Sequence, residues 1–440
     1  MPITLENATL LSLDPPGVMS GALRIENDSV SAIGPMVKPS PGDEVVDCGG
    51  AVVLPGLVNG HTHLYSAPAT GMPPPSRAPK NFHEILELIW WRLDRAHDAE
   101  SIELCGLIGA LDAVHCGTTT LIDHHASPNS IEDSLDNLER GIDAVGLRAV
   151  LCYETTDRNG AAGALAGLEE NRRYLERCAQ RNDGRFAALV GAHAAFTMSD
   201  ETLSACARLA AEYHSGVHIH VAEDPCDDLI CREKYGAPLV ERLTRSGIVD
   251  ESVGVAARSI LAHCTHLSQA DAKRLSRMVA AVAHNPRSNM NNQVGYAPTN
   301  HLTGVQLGTD GIGGDMFAEA RAAWFKSRDA CAGLAPTAIV EMLVRSARTA
   351  SRLLGKELGQ FAPGAAADVV VTDYIPATPL SPDNIVGHLI FALASHHVRH
   401  VLVAGQWTLR DRQVLTVAEN ETRRRAVDAT RALWSRMPRT

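Results

Sequence analysis

The feature that most restricts the fold is a rhythm in the middle of the chain. Between about residues 58 and 357, short apolar runs alternate with stretches of helical spacing such as "ESIELCGLIGALDAVHCG" and "ETLSACARLAAEYHSG". The apolar runs end near residues 60, 123, 153, 192, 220, 262, 284 and 309. Eight strand–helix units at this spacing predict a closed parallel (β/α)8 barrel of the TIM type, within the α/β class. The rival, a doubly wound open sheet, usually carries a glycine-rich nucleotide loop after its first strand, and none follows here.

The ends of those runs carry chemistry. In order they offer His61 and His63, then Asp123, His124 and His125, then Glu154, His193, His218 with His220 and Glu223, His263, His284, and Asp310. Barrel enzymes place their reactive groups at the carboxyl ends of the strands. Residues i and i+2 of a strand face the same way, so the "HTH" of "PGLVNGHTHLYSAP" can turn two imidazoles on one ion. His218 points the same way as His220 but one layer deeper, and reads as a packed core histidine.

A chain of 440 residues exceeds an ordinary domain unless that domain is a large barrel. The remainder is β-like at both ends. Residues 1–57 are short strands punctuated by Gly, Pro, Asn and Asp, and residues 358–416 return to that flavour in "ADVVVTDY" and "VRHVLVAGQWTLRDRQV". One small composite β-sandwich built from both ends is the economical reading, followed by a C-terminal helix over 417–440. The Pro-rich "APATGMPPPSRAPK" at 67–80 reads as a long loop after the first barrel strand, with the makings of a lid.

Net charge is −11, which suits neither nucleic acid nor an anionic membrane, because phosphate binding needs clustered Lys and Arg. Ten cysteines without a CxxC pair read as buried thiols in a reducing compartment. The N-terminus shows no signal-peptide pattern and no apolar run is long enough to span a bilayer, so a cytoplasmic protein is expected.

The stretches "PGLVNGHTH", "HIHVAE", "LAHCTHL", "HNPRSNMNN" and "LGTDG", in this order, resemble the deaminase branch of the amidohydrolase superfamily. "WWRLDRAHD", "IDHHASP", "CYETTDRN" and "NPRSNMNNQVGY" are similar to the SsnA-type aminohydrolases within it. The resemblance implies one divalent metal, zinc by preference with iron or manganese as alternatives, held by His61, His63, His220 and Asp310. It implies Glu223 and His263 as catalytic, with Asp310 also holding the attacking hydroxide in place. Glu223 follows His220 by three residues, so the strand must end near Val221 and turn to bring the carboxylate back. His193, Trp91, Arg92, His125, Glu154, Arg287 and Asn289 are candidate substrate contacts. Trp90 and Trp91 serve either as core aromatics or as a wall for a planar ring.

Binuclear relatives bridge two metals with a carboxylated lysine from the fourth strand. No lysine occurs between residues 151 and 219, which favours a single metal. The expected activity is hydrolytic deamination at an amidine-like carbon of a small amino-heterocycle, purine- or pterin-like. The alternatives are a metal-dependent hydrolase that releases chloride or an alkylamine or opens a cyclic amide, and a barrel that has become a scaffold. The expected partner is a small-molecule substrate, and a homodimer or higher homo-oligomer is compatible with the architecture.

Overall fold

In the computed structural model, which describes residues 1–181, 183–250, 254–278 and 281–438, the first and last strands belong to the same sheet. The N-terminal strands are β1 (Ile3–Leu13), β2 (Pro16–Glu26), β3 (Ser29–Gly34), β4 (Glu44–Asp47) and β5 (Val52–Pro55). The β1–β2 register slips between Leu5 and Ala8, where Asn7 takes a φ of 51°. Such a bulge bends the strand, and β1 pairs β4 before the bend and β5 after it.

The barrel staves follow: β6 (Leu57–Thr62), β7 (Thr118–Asp123), β8 (Arg148–Leu151), β9 (Phe186–Ala188) with β10 (Val190–Ala194), β11 (Val217–Val221), β12 (Ile260–His263), β13 (Ala281–His284) and β14 (Val305–Leu307). They form two parallel sheets, β6 to β9 and β10 to β14. The fourth stave, broken only at Leu189, belongs to both. At the other seam the Thr309 and Asp310 amides donate to His61 O, and the His63 amide donates to Asp310 O. Eight staves therefore close into the predicted barrel. Gly308 permits that closure, because a Cβ there would lie 2.5 Å from Asn285 Oδ1 and 2.7 Å from His61 Cβ.

The chain then returns to the first sheet through β15 (Val369–Thr372), β16 (Val398–Val403), β17 (Gln406–Arg410) and β18 (Gln413–Val414). β15 pairs antiparallel with β5, Val370 opposite Leu54, so strands from both chain ends make one nine-stranded sheet. The sheet curls until Trp407 Nε1 on β17 donates to Glu44 on β4 at 3.1 Å. Leu5, Leu23, Ile25, Val53, Val369 and Leu402 fill the space between its layers.

Helices are capped where sequence chemistry permits. Ala99–His115 starts in a capping box between Asp98 and Ser101, and Thr337–Leu354 stops at Gly355, φ 66°. The terminal helix Glu419–Arg436 lies against Ala99–His115, and Trp434 Nε1 donates to Pro68 O at 2.9 Å. It thereby pins the start of the loop that leaves the first stave. No described helix is long and apolar enough to cross a membrane.

One buried ion pair joins barrel to sheet. Arg148 at the foot of β8 grips Asp368 through two bonds of 2.8 and 3.0 Å, and Asp368 also accepts from the Ala404 amide. Both side chains are buried. Arg148→Met would leave a buried carboxylate uncompensated and is expected to cost about 3–5 kcal/mol in urea unfolding, with partial recovery on adding Asp368→Leu. An Arg148→Met protein as stable as the parent would show that the pair contributes little.

Candidate active site

Three imidazoles and one carboxylate meet over the carboxyl mouth of the barrel. His61 and His63 come from the end of β6, His220 from β11 and Asp310 from the turn after β14, and their ligand atoms all lie within 4.8 Å of one another. Asp310 reaches them from a left-handed backbone, φ 54°. That conformation is costly for a residue with a Cβ, and such strain clusters at functional sites.

Each imidazole is fixed from behind. His63 Nδ1 donates to His124 O at 2.6 Å, and His220 Nδ1 donates to His193 O at 2.8 Å. A carbonyl can only accept, so in the neutral rings both Nε2 atoms carry lone pairs. They face each other across 3.0 Å. Two lone pairs so placed repel, unless a proton or a metal ion lies between them. Two nitrogens bound tetrahedrally to one zinc ion would stand about 3.3 Å apart. His61 Nε2 is buried without a hydrogen-bond partner, and its Nδ1 meets His218 Nε2 at 2.8 Å.

The Asp310 Oδ1 atom lies 3.1 Å from His63 Nε2 and 3.5 Å from His61 Nε2. Burial pulls the His63 imidazolium down, but Asp310 more than offsets this and holds it up to about 9. Burial takes His61 down to about 3. The cluster therefore favours a single positive charge against Asp310. The donor set and its orphaned lone pairs fit a divalent ion such as zinc.

A second group overlaps the first. β11 ends at Val221, Ala222 turns with φ 48°, and Glu223 swings back over the mouth, its amide donating to Asp227 Oδ2 at 2.9 Å. Glu223 Oε2 lies 3.4 Å from His263 Nε2, which is 3.9 Å from Asp310 Oδ2. His263 Nδ1 donates to Asn289 Oδ1 at 2.8 Å, so Nε2 is the atom turned on the site. Burial, reinforced by the Asp310 charge, raises the Glu223 carboxyl well above its usual range. Burial and the Glu223 charge also push Asp227 up to about 8.

A cavity opens above these groups. Its polar wall includes His63, Glu154, His193, His220, Glu223, Asp227, Asn292 and Asp310, and its apolar wall includes Phe82, Leu86, Trp90, Trp91 and Phe196. Phe82, Trp90 and Trp91 come from Phe82–Asp94, helical but locally underwound by a π turn at Leu86–Trp90, and Phe196 follows β10. π turns recur at functional sites because they re-aim side chains.

Of the substrate contacts expected from sequence, Trp91, His193 and Glu154 line this cavity, and Arg92, His125, Arg287 and Asn289 do not. Arg92 points its guanidinium back to Leu88 O, and His125 bonds Ser127. Arg287 holds Glu319 and Gly313 O, and Asn289 serves His263.

Several residues in contact with the site were not singled out from sequence. Ser288 donates a short hydrogen bond to Asp310 Oδ2, and Asn292 Nδ2 approaches Glu223 Oε1 at 3.5 Å. Their signal was available: 285, 288, 289 and 292 recur at the helical spacing of one polar face on Pro286–Asn291. His218, read as core packing, is indeed fully buried, and in addition bonds the His61 ring.

Comparison with known proteins identifies the family and the fold. A sequence model described as the amidohydrolase family matches residues 52–408. The 5'-deoxyadenosine deaminase of Methanosarcina mazei is 29% identical over 99% of both chains. The 5-methylthioadenosine/S-adenosylhomocysteine deaminase of Desulforudis audaxviator is 30% identical over 89% of both. Among solved structures, a zinc-bound adenosine deaminase from Xanthomonas campestris superposes with a TM-score of 0.81, at 23% identity over 98% of both chains. The zinc complex of the atrazine chlorohydrolase TrzN from Arthrobacter aurescens gives 0.79, at 20% identity over 98% of this chain and 100% of that one.

Proposed function

Because the chain belongs to the amidohydrolase family, we propose that it is a divalent-metal-dependent hydrolase that removes the amino group from a small amino-heterocycle. The carrying observation is the convergence of the His63 and His220 Nε2 atoms, 3.0 Å apart, beside the Asp310 carboxylate. His61, His63, His220 and Asp310 would hold the ion, zinc by preference. Its contribution is Lewis acidity, which brings the pKa of water toward neutrality.

The remaining roles fall to side chains. Glu223, buried and raised in pKa, takes a proton from the attacking water and passes it to the substrate. His263, its Nδ1 committed to Asn289, presents an Nε2 lone pair to the same oxygen, accepts a hydrogen bond from the water and orients it for attack. The reaction is C(=N)–NH2 + H2O → C(=O)–NH + NH3. A carbon–oxygen bond forms, the carbon–amine bond breaks, and the leaving nitrogen departs as ammonia with a proton relayed by Glu223. The aromatic wall of Trp90, Trp91 and Phe196 suits a planar ring and excludes water from it.

The deaminase names of relatives aligned over most or all of the chain support this reading. The test is ammonia release, followed with ring absorbance, from the zinc-loaded protein on a panel of amino-purines, amino-pyrimidines and pterins. Turnover that frees ammonia supports the proposal. Chloride release or ring opening without ammonia would replace it.

A further inference from the structure

The Glu154 carboxylate, which the mechanism above does not use, is 4% exposed and lines the cavity. Its partners leave one oxygen unclaimed. His124 Nε2 lies 3.1 Å from two carbonyls, Ala192 O and His218 O, so it is an N–H donor. His124 Nδ1 lies 3.4 Å from Glu154 Oε2 and has no hydrogen-bond partner of its own among the described residues. Glu154 Oε1 has no hydrogen bond among them either, and a carboxylate oxygen is an acceptor. Arg158 Nη2 is 3.6 Å from Oε1 and is engaged by Asp94.

A second acceptor stands beside it. The Thr197 hydroxyl donates to Ala194 O, so it accepts from His193 Nδ1 at 2.7 Å. His193 Nε2 therefore presents a lone pair, 3.9 Å from Glu154 Oε1. The two acceptors belong to the third and fourth staves, whereas Glu223 groups with His263 and Asp310. A ring held over the metal ligands thus meets a proton carrier on one flank and a pair of acceptors on the other.

We infer that Glu154, together with His193, selects cyclic amidines bearing a ring N–H next to the reacting carbon, on the flank away from Glu223. This rests on the deaminase reading and narrows its substrate class to guanine-like or pterin-like rings. Adenine-like rings offer that wall a carbon and a nitrogen lone pair, and acceptor facing acceptor is unfavourable.

The test uses the zinc-loaded Glu223→Gln protein, slowed by about 10^3- to 10^4-fold, and titration calorimetry with guanine, 2-aminopurine and 1-methylguanine. The last two lack the ring N–H. Guanine is expected to bind at least about tenfold more tightly than either. Adding Glu154→Gln should erase that preference with zinc content and thermal midpoint retained; if the double variant does not fold, the three-ligand comparison decides alone. Equal affinities, no binding of guanine, or a preference that survives Glu154→Gln would overturn the inference. Deamination of adenosine-type rings as efficient as that of guanine would overturn it and leave the deaminase intact. Absence of ammonia from every heterocycle would remove the deaminase reading, while the affinities still decide the role of Glu154.

Discussion

His220→Ala is expected to yield a folded protein that holds less than one tenth of its divalent metal and has lost at least about 10^4 of its deaminase activity. The reason lies in how the four ligands are supported. His63 and His220 have their Nδ1 atoms tied to carbonyls, so their Nε2 atoms cannot turn away from the place where the four groups converge. The site is thus preorganised for a cation and poorly suited to anything else. Deleting one imidazole leaves two nitrogens and a carboxylate on a frame shaped for four ligands, with nothing to fill the gap and hold the other three on the ion, so the grip on zinc weakens. The His218 ring supports His61 from behind, so His218→Leu should act in the same direction but more weakly, about 10- to 100-fold in metal affinity. Metal analysis after dialysis, alongside ammonia assays, measures both. A His220→Ala protein that keeps a full complement of zinc would place the metal elsewhere.

The contrast between ligands and cavity wall explains what could be read from sequence. The ligands lie at fixed points of a repeating unit. His61 and His63 share a strand face, and His220 and Asp310 close later units, so periodicity placed them at strand ends, and the resemblance to the deaminase branch singled them out as a ligand set. Glu223 came from the same resemblance; its spacing from His220 demands a turn, and Ala222 supplies it with φ 48°. The composite sheet was legible because its strands carry ordinary β patterning at both chain ends. The wall obeys no such period. Arg92 follows two tryptophans, but the π turn at Leu86–Trp90 rotates the segment so that Trp90 and Trp91 face the cavity and Arg92 turns back to Leu88 O. Arg287 occupies a promising helix, yet buried Glu319 from a distant helix claims it. Such outcomes depend on residues far apart in sequence. Asn289 illustrates a third case: it occupies the right neighbourhood, but its oxygen serves His263.

Glu223→Gln should separate binding from chemistry. The substitution keeps the shape of the side chain and its approach to Asn292 and His263, so the ligands of the ion are untouched. Metal content is expected to equal that of the parent, and kcat to fall by about 10^3- to 10^4-fold, the scale of a lost general acid–base. Stability is expected to move the other way. The Glu223 carboxyl is buried beside the Asp310 carboxylate, and both burial and that like charge raise its pKa, so the folded state binds a proton more tightly than the unfolded chain does. For an acid whose folded pKa is raised, stability is lost as pH climbs above the unfolded value and stays lost at neutrality. A neutral amide escapes that cost, so, compared free of metal, the variant should melt at or above the parent temperature at pH 7, with the difference closing near pH 4. A residue kept where it weakens the fold is one retained for its proton. If Glu223→Gln turned over at the parent rate, or melted lower at pH 7 when both proteins are stripped of metal, the carboxylate would be a structural partner and the proton would have to travel by another group.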